Sequence, residues 1–306
     1  CRDYPRVNLA NDTVQLFSAH LSCPGIIQLL AKQQSTDNLF TEVSDNAEHA
    51  PSLDSNDINL ELGNTMLQTL SATHYSLALR LYFLASLLQQ LAINREQASD
   101  EKRLARISRV SLKSMNKQLA AIQNLYQNSK LKINKKLSGV YWQFVFRFCR
   151  ALHENTLKPR IEQSASYQAL LELNQSNQEF SDKDYLKHYQ ILHKLQRNIP
   201  KKITDLIDVM LTPVMQVKFK NHGFPWFLYK NSLELTFLDC VVSYSQIKLI
   251  LGLLYESEQK ITEQDIITVI YKVEKTVAHN TLILKQLEQQ PELFHIASYA
   301  GCWMGG

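Results

Sequence analysis

Apolar residues recur at intervals of three and four over most of the chain from about Asn64 onward, which is the spacing of one face of an α-helix. The run Tyr75–Ile93 is apolar nearly all round, although it contains Arg80, so we expect a central, buried helix there. Only eight glycines and eight prolines interrupt the chain. The same spacing predicts further helices over Asp100–Tyr126, Val140–Leu152, Pro159–Leu173, Asp182–Leu195, Pro200–Val209, Ser232–Tyr255 and Glu263–Leu287. The pattern therefore predicts a mainly α fold built on one multi-helix domain.

The N-terminal end follows a different pattern. From Val14 to Leu21 successive side chains would point to two opposite faces, each of which mixes apolar and polar residues, and this predicts one short strand. Pro24 then suits the first turn of a helix that ends near Ala31. Cys1 and Cys23 each stand in a proline-containing turn on either side of this strand. We expect residues 1–33 to form a small cysteine-bearing head.

The rest of the chain consists of an acidic segment and a longer basic segment. No Lys or Arg occurs between Lys32 and Arg80, whereas seven acidic residues do. We therefore expect an acidic linker or surface loop over residues 34–61 and a helical domain over 62–306. Outside that acidic stretch the chain carries 33 basic and 22 acidic residues. One predicted helix carries a basic stripe that comprises Arg106, Arg109, Lys113 and Lys117. This basic stripe is either a solvated face or a docking surface for an acidic protein or polyanion.

Composition narrows the class of protein. With 45% hydrophobic and 20% charged residues, the 306-residue chain has the balance of a soluble globular protein. No uninterrupted apolar run reaches the roughly 18 residues of a membrane span. The five cysteines are scattered and odd in number, which favours a reducing cytoplasm over a disulfide framework, and Cys149 and Cys240 fit small core residues.

Motifs of the commoner enzyme classes are missing from the sequence. It contains no Gly-x-Gly-x-x-Gly or Gly-Lys-Ser/Thr phosphate loop, no His-Glu-x-x-His and no Gly-x-Ser-x-Gly. No nucleic-acid-binding module is recognisable. Two cysteines 22 residues apart can meet at one metal ion, but two ligands do not complete a site, even if His20 adds a third. Pattern alone indicates a helical protein with a cysteine-bearing head.

Several segments nevertheless resemble one protein family. Cys1-Arg-Asp-Tyr-Pro-Arg-Val and Leu21-Ser-Cys-Pro-Gly are similar to the end of the N-terminal cysteine cluster of bacterial flagellin lysine N-methylases. Farther along, Phe219-Lys-Asn-His-Gly-Phe-Pro, Tyr244-Ser-Gln-Ile-Lys and Thr276-Val-Ala-His-Asn resemble the C-terminal helical region of that family, in the same order.

The resemblance implies a function. It implies transfer of methyl groups from S-adenosylmethionine to lysine side chains of flagellin. It also assigns Cys1 and Cys23 to a zinc, iron or iron–sulfur centre. It assigns no catalytic and no donor-binding residue. The alternatives are a metal-chelating cysteine-cluster protein without catalysis and a helical adaptor that docks an acidic partner.

The chain opens on Cys1 with only part of that ligand set, so we expect further cysteines to precede it in the complete protein. If Cys1 and Cys23 share one centre, Cys23→Ser in the complete protein lowers the amount of bound metal, whereas Cys149→Ser does not. Metal content measured by atomic emission on the purified proteins checks this. Equal metal loss in both variants would mean general unfolding and would remove the assignment.

Overall fold

The structure is a computed structural model. It describes residues 6–10, 15–19, 21, 23–32, 42–43, 58–97, 101–127, 134–150, 157–175, 180–221 and 233–278. Within these ranges the chain forms three short strands and eleven helices, so the mainly α prediction is confirmed. The strands are β1 (Arg6–Ala10), β2 (Gln15–Ala19) and β3 (Glu42–Val43). The helices are α1 (Pro24–Lys32), α2 (Ile58–Ser71), α3 (Leu77–Gln97), α4 (Glu101–Gln127), α5 (Lys135–Arg150), α6 (Lys158–Ile161), α7 (Ala165–Gln175), α8 (Asp182–Arg197), α9 (Lys201–Asn221), α10 (Leu233–Glu258) and α11 (Glu263–Ala278).

The three strands form one antiparallel sheet in the order β1-β2-β3. Asn8 lies opposite Phe17 in the first pair, and Leu16 lies opposite Glu42 in the second. Strand β2 packs on α9, and α1 packs on α9 and α11, so the N-terminal part of the chain contacts the C-terminal helices. Cys1 lies outside the described residues, so a separate cysteine-bearing head stays a prediction.

One predicted helix is wrong. The stretch predicted as a single helix over Pro159–Leu173 is two helices, α6 and α7. The break occurs at Ser164, whose hydroxyl accepts a hydrogen bond from the backbone N–H of Tyr167 at 3.1 Å and so caps α7. Glu256 of α10 reinforces this cap, since its carboxylate accepts from the hydroxyl of Ser164 and from the backbone N–H of Ser166.

The predicted end of another helix is also wrong. Helix α9 continues past Val209 to Asn221 and contains Pro213. A proline removes the hydrogen bond to the carbonyl four residues earlier, which here belongs to Val209. The side chain of Val209 is 61% exposed, so this side of the helix faces water, which can satisfy the freed carbonyl.

Cap residues confirm the predicted start of α11. The backbone N–H and the hydroxyl of Thr262 both donate to the carboxylate of Asp265, at 2.9 and 2.6 Å. In return, the backbone N–H of Asp265 donates to the Thr262 hydroxyl at 3.2 Å. This reciprocal arrangement is a capping box, which satisfies donors that a helix start leaves unpaired. Residues 279–287 of the predicted helix lie outside the described residues.

Helix α10 is the centre of the bundle. It packs against α3, α5, α6, α7, α8, α9 and α11. By length and composition the stretch Phe237–Glu258 could cross a membrane, with a mean hydropathy of 1.5. Its most apolar window lies entirely inside the bundle, however, as expected for a central helix that is covered on all sides.

Helices α5 and α8 approach each other closely at one glycine. A Cβ atom at Gly139 would lie 1.9 Å from the backbone carbonyl oxygen of Tyr185 on α8. Backbone at this position cannot give way as a flexible side chain can, so the close packing of the two helices depends on glycine.

We expect Gly139→Ala to lower the free energy of unfolding by about 1–3 kcal/mol, because overpacking outweighs the gain that alanine brings to a helix. Gly25→Ala is the matched control. A Cβ atom there meets only the sulfur of Cys23 at 3.8 Å, so that variant should be at least as stable as the native protein. Urea denaturation of the three proteins measures the difference. A Gly139→Ala protein as stable as the native one would contradict the packing described here.

Candidate functional site

Six charged residues lie in the interior among α3, α9, α10 and α11. All are almost inaccessible to solvent, which is unusual for such side chains. We call them the buried charged centre, and they comprise Arg80, Asp208, Lys218, Asp239, Lys248 and Glu274. Three are cationic and three are acidic, so the group is balanced in formal charge.

Asp208 connects three helices in one half of this centre. Its Oδ2 atom accepts a hydrogen bond from the backbone N–H of Leu77, at the first residue of α3, over 2.9 Å. Its Oδ1 atom lies 3.9 Å from the Nζ atom of Lys248 on α10. A carboxylate at a helix N-terminus satisfies an unpaired donor and complements the helix dipole, so Asp208 of α9 fixes the start of α3.

Arg80 is the second cation in this half. Its guanidinium donates to the hydroxyl of Thr212 at 3.0 Å and to the backbone carbonyl of Leu70. Burial lowers the pKa of Arg80 to about 10, and the nearby Asp208 and Tyr244 offset part of that effect. The guanidinium therefore keeps its charge at neutral pH.

The other half is organised around Lys218. Its ammonium donates to the Oε2 atom of Glu274 on α11 at 2.9 Å and lies 3.9 Å from the Oδ2 atom of Asp239 on α10. Burial alone would lower the pKa of Lys218, but Glu274 and Asp239 outweigh it and hold the pKa above its ordinary value. The ammonium therefore joins α9, α10 and α11 as a permanent cation.

Four buried oxygens on α9, α10 and α11 have unused hydrogen-bonding capacity. They are the hydroxyl oxygens of Ser243 and Tyr244, Asp208 Oδ1 and Glu274 Oε1. None of these four atoms has a hydrogen-bond partner within the described part of the chain. An unpaired polar group in the interior costs about 1–3 kcal/mol, so a cluster of them requires an explanation. Burial raises the pKa of Tyr244, so its phenol is neutral and can donate.

One of the three C-terminal segments that carry the family resemblance contributes a residue to this centre, and the other two begin next to it in the sequence. Phe219 follows Lys218 directly and stacks on Phe237 of α10, with ring centroids 5.8 Å apart. Lys248 belongs to it, and Tyr244 lies close to Asp208 and Arg80 of the centre. Thr276 lies two residues beyond Glu274 on α11. Residues 222–225 of the first segment and residues 279–280 of the third lie outside the described residues.

Sequence reasoning missed most of this centre. Arg80 stood out as a charge inside an apolar run, yet nothing in the sequence links it to Asp208. Lys248 gave the same signal on α10, which is buried from Phe237 to Leu254. A charged residue on an otherwise apolar helix face is the one sign that could have found these positions.

The predicted metal ligands are only partly described. Cys23 is a free, half-buried thiol whose backbone carbonyl accepts the first hydrogen bonds of α1, whereas Cys1 and His20 lie outside the described residues. No group of three or more His, Cys, Asp or Glu side chains in the described ranges could hold a metal ion. Cys149 and Cys240 are buried and burial raises the pKa of both thiols, which confirms them as core residues.

The basic stripe is also partly described. Lys113 and Lys117 are exposed on α4, while Met115 and Leu119 of the same helix are buried. This pattern fits a helix with one solvated face. The side chains of Arg106 and Arg109 lie outside the described residues, so a docking role for the stripe stays a prediction.

Comparison with known proteins gives one match. The family model for the FliB lysine N-methylase C-terminal domain matches residues 64–299. No curated protein and no solved structure matches the chain.

Lys218→Met should lower the free energy of unfolding by about 3–5 kcal/mol, because it leaves Glu274 and Asp239 as uncompensated buried charges. Because its pKa is raised in the folded state, the contribution of Lys218 is complete at neutral pH and fades only as the pH rises above about 10.5. Urea denaturation at pH 7 measures the loss.

The double variant Lys218→Met/Glu274→Met is the control for this pair. It removes both charges, so it should lose less stability than the sum of the two single variants. Strictly additive losses would contradict the coupling between these residues.

Proposed function

The chain belongs to the FliB lysine N-methylase family, and from this membership we propose that it transfers methyl groups from S-adenosylmethionine to lysine side chains of flagellin. The observation that carries the proposal is the family match over residues 64–299. That range contains all six residues of the buried charged centre. We infer that this centre is where the chain binds the methyl donor.

The unpaired oxygens support this placement. When bound, S-adenosylmethionine supplies a methyl group activated by a positively charged sulfonium. It also carries an ammonium group and two ribose hydroxyls, which need hydrogen-bond acceptors. Asp208 Oδ1 and Glu274 Oε1 are acceptors with free capacity, and the hydroxyls of Ser243 and Tyr244 can both donate and accept. The residues present therefore fit the donor in chemical type.

The charges of the centre suit the other reactant as well. A lysine amine has an ordinary pKa of about 10.4 and attacks only in its neutral form. A buried cation close to it disfavours its protonated form and lowers that pKa. Lys248 and Arg80 are such cations in the half of the centre that contains Asp208, and a carboxylate oxygen there can accept the proton that the amine loses.

The remaining parts of the proposal rest on the family alone. We propose flagellin as the protein substrate and the cytoplasm as the site of the reaction. We also retain Cys1 and Cys23 as ligands of a metal or iron–sulfur centre in the complete protein. The described residues include a single sulfur donor at that position, Cys23, so no step of methyl transfer is assigned to a metal.

The complete protein, incubated with S-adenosylmethionine and flagellin, should add methyl groups to exposed lysines of flagellin, and intact-mass spectrometry detects each addition. Ser243→Ala should lower kcat/KM about fivefold or more, the effect of one lost hydrogen bond of about 1 kcal/mol. It should leave stability nearly unchanged, because the hydroxyl has no partner in the described part of the chain.

Ser257→Ala on the same helix is the matched control. The hydroxyl of Ser257 donates to the backbone carbonyl of Leu253, away from the centre, so this variant should keep native activity. Flagellin that stays unmodified by the folded, metal-replete native protein would contradict the proposed function. Metal retained in that same sample would favour the chelating alternative.

A further inference from the structure

A groove of about 610 Å³ lies between the start of α5 and the C-terminal half of α8. Lys135 lines one side, and His193, Lys194 and Arg197 line the other. Tyr189 contributes an aromatic surface, since its ring stacks on the ring of His193 with centroids 5.4 Å apart. None of these residues belongs to the buried charged centre.

The positive charge of this groove is compensated only in part, since the charge of Lys194 helps to lower the pKa of Glu256 on α10. Lys135, Lys194 and Arg197 form no ion pair within the described part of the chain, whereas the neighbouring Lys136 pairs with Asp182 at 2.7 Å. Burial, and then the charges of Arg197 and Lys135, lower the pKa of His193, which is the expected effect of crowded cations. The groove therefore holds an excess of positive charge that an anionic ligand would relieve.

Helix α5 adds to this excess. Its first residue is Lys135 and its first turn contains no acidic residue, so a cation stands where the helix dipole favours an anion. The N-cap residue, Asn134, uses its side chain to accept from the backbone N–H of Leu137 and supplies no negative charge. The basic first residue of α5 is unfavourable for the stability of the helix by itself, but it favours the binding of an anion in the groove.

The other side chains of the groove indicate what kind of anion fits. Gln190 of α8 and Asn198, which follows the last residue of α8, also line the groove and carry amide groups that both donate and accept hydrogen bonds. A peptide backbone offers both N–H and C=O groups to such amides, whereas a polyphosphate offers acceptors only. From Gln190 to Asn198 the helix rises about 12 Å, which matches about three or four residues of an extended peptide.

We propose that this groove binds an extended acidic segment of a protein partner. The segment places its carboxylates on Lys135, Lys194 and Arg197 and its backbone on the two amides. This binding does not require that the protein transfer methyl groups.

The test is a direct binding measurement. A fluorescein-labelled hepta-glutamate peptide is titrated with the full 306-residue chain at low salt, and fluorescence anisotropy gives the Kd. Arg197→Glu should raise the Kd about tenfold, since it removes an attraction and adds a repulsion in the groove. Lys194→Gln should raise the Kd by a smaller factor, and it replaces Arg197→Glu as the test variant if the charge reversal impairs folding. Added salt should weaken the native complex.

Lys183→Glu is the matched control, because it makes the same change in net charge on an exposed residue of α8 outside the groove. It should leave the Kd of the peptide unchanged. An equal loss of affinity in Lys183→Glu and Arg197→Glu would overturn the proposal, since binding would then follow net charge alone. Displacement of the peptide by inorganic pyrophosphate as efficiently as by unlabelled peptide would also overturn it and would indicate a phosphate site instead.

Discussion

The structure depends on the pairing of opposite charges in the protein interior, where an unpaired charge is unfavourable. Two of the three buried cations of the centre pair with an acid from another helix: Lys218 of α9 with Glu274 of α11, and Lys248 of α10 with Asp208 of α9. The third, Arg80 of α3, is attracted by the charge of Asp208. Asp208 also fixes the first backbone N–H of α3. Because an uncompensated buried charge is costly, these pairs constrain how α3, α9, α10 and α11 can pack.

The same balance connects the fold to the proposed chemistry. Buried ion pairs contribute little net stability, since desolvation offsets most of their attraction. A centre that leaves the oxygens of Ser243, Tyr244, Asp208 and Glu274 without hydrogen-bond partners in the described ranges is costlier still. Groups with strongly perturbed pKa values cluster at functional sites, and here Arg80, Lys218 and Tyr244 lie inside the region that matches the FliB lysine N-methylase family. The proposed donor site explains why the interior retains them.

Local sequence predicted the helices well, because hydrophobic spacing and cap residues act over a few positions. Thr262 and Asp265 are three residues apart, and their capping box was predictable. Contacts between distant residues were not. Glu256 caps α7 from about 90 residues away, which the spacing over Pro159–Leu173 could not reveal. Lys218 and Glu274 are 56 residues apart, and Leu77 and Asp208 are 131 apart. Arg80 stood out as a charge inside an apolar run, but no local pattern identifies its partners.

The central claim is that the buried charged centre binds the methyl donor, and the hydroxyl of Tyr244 tests it most directly. Calorimetric titration with S-adenosylmethionine should give a Kd about fivefold higher for Tyr244→Phe than for the native protein, with the free energy of unfolding unchanged. Tyr141→Phe is the comparison, because that hydroxyl is already bonded to Ser245 and to the carbonyl of Val241, so its loss should affect stability rather than donor affinity. Native donor affinity in Tyr244→Phe would contradict the claim and leave the centre with a purely structural role.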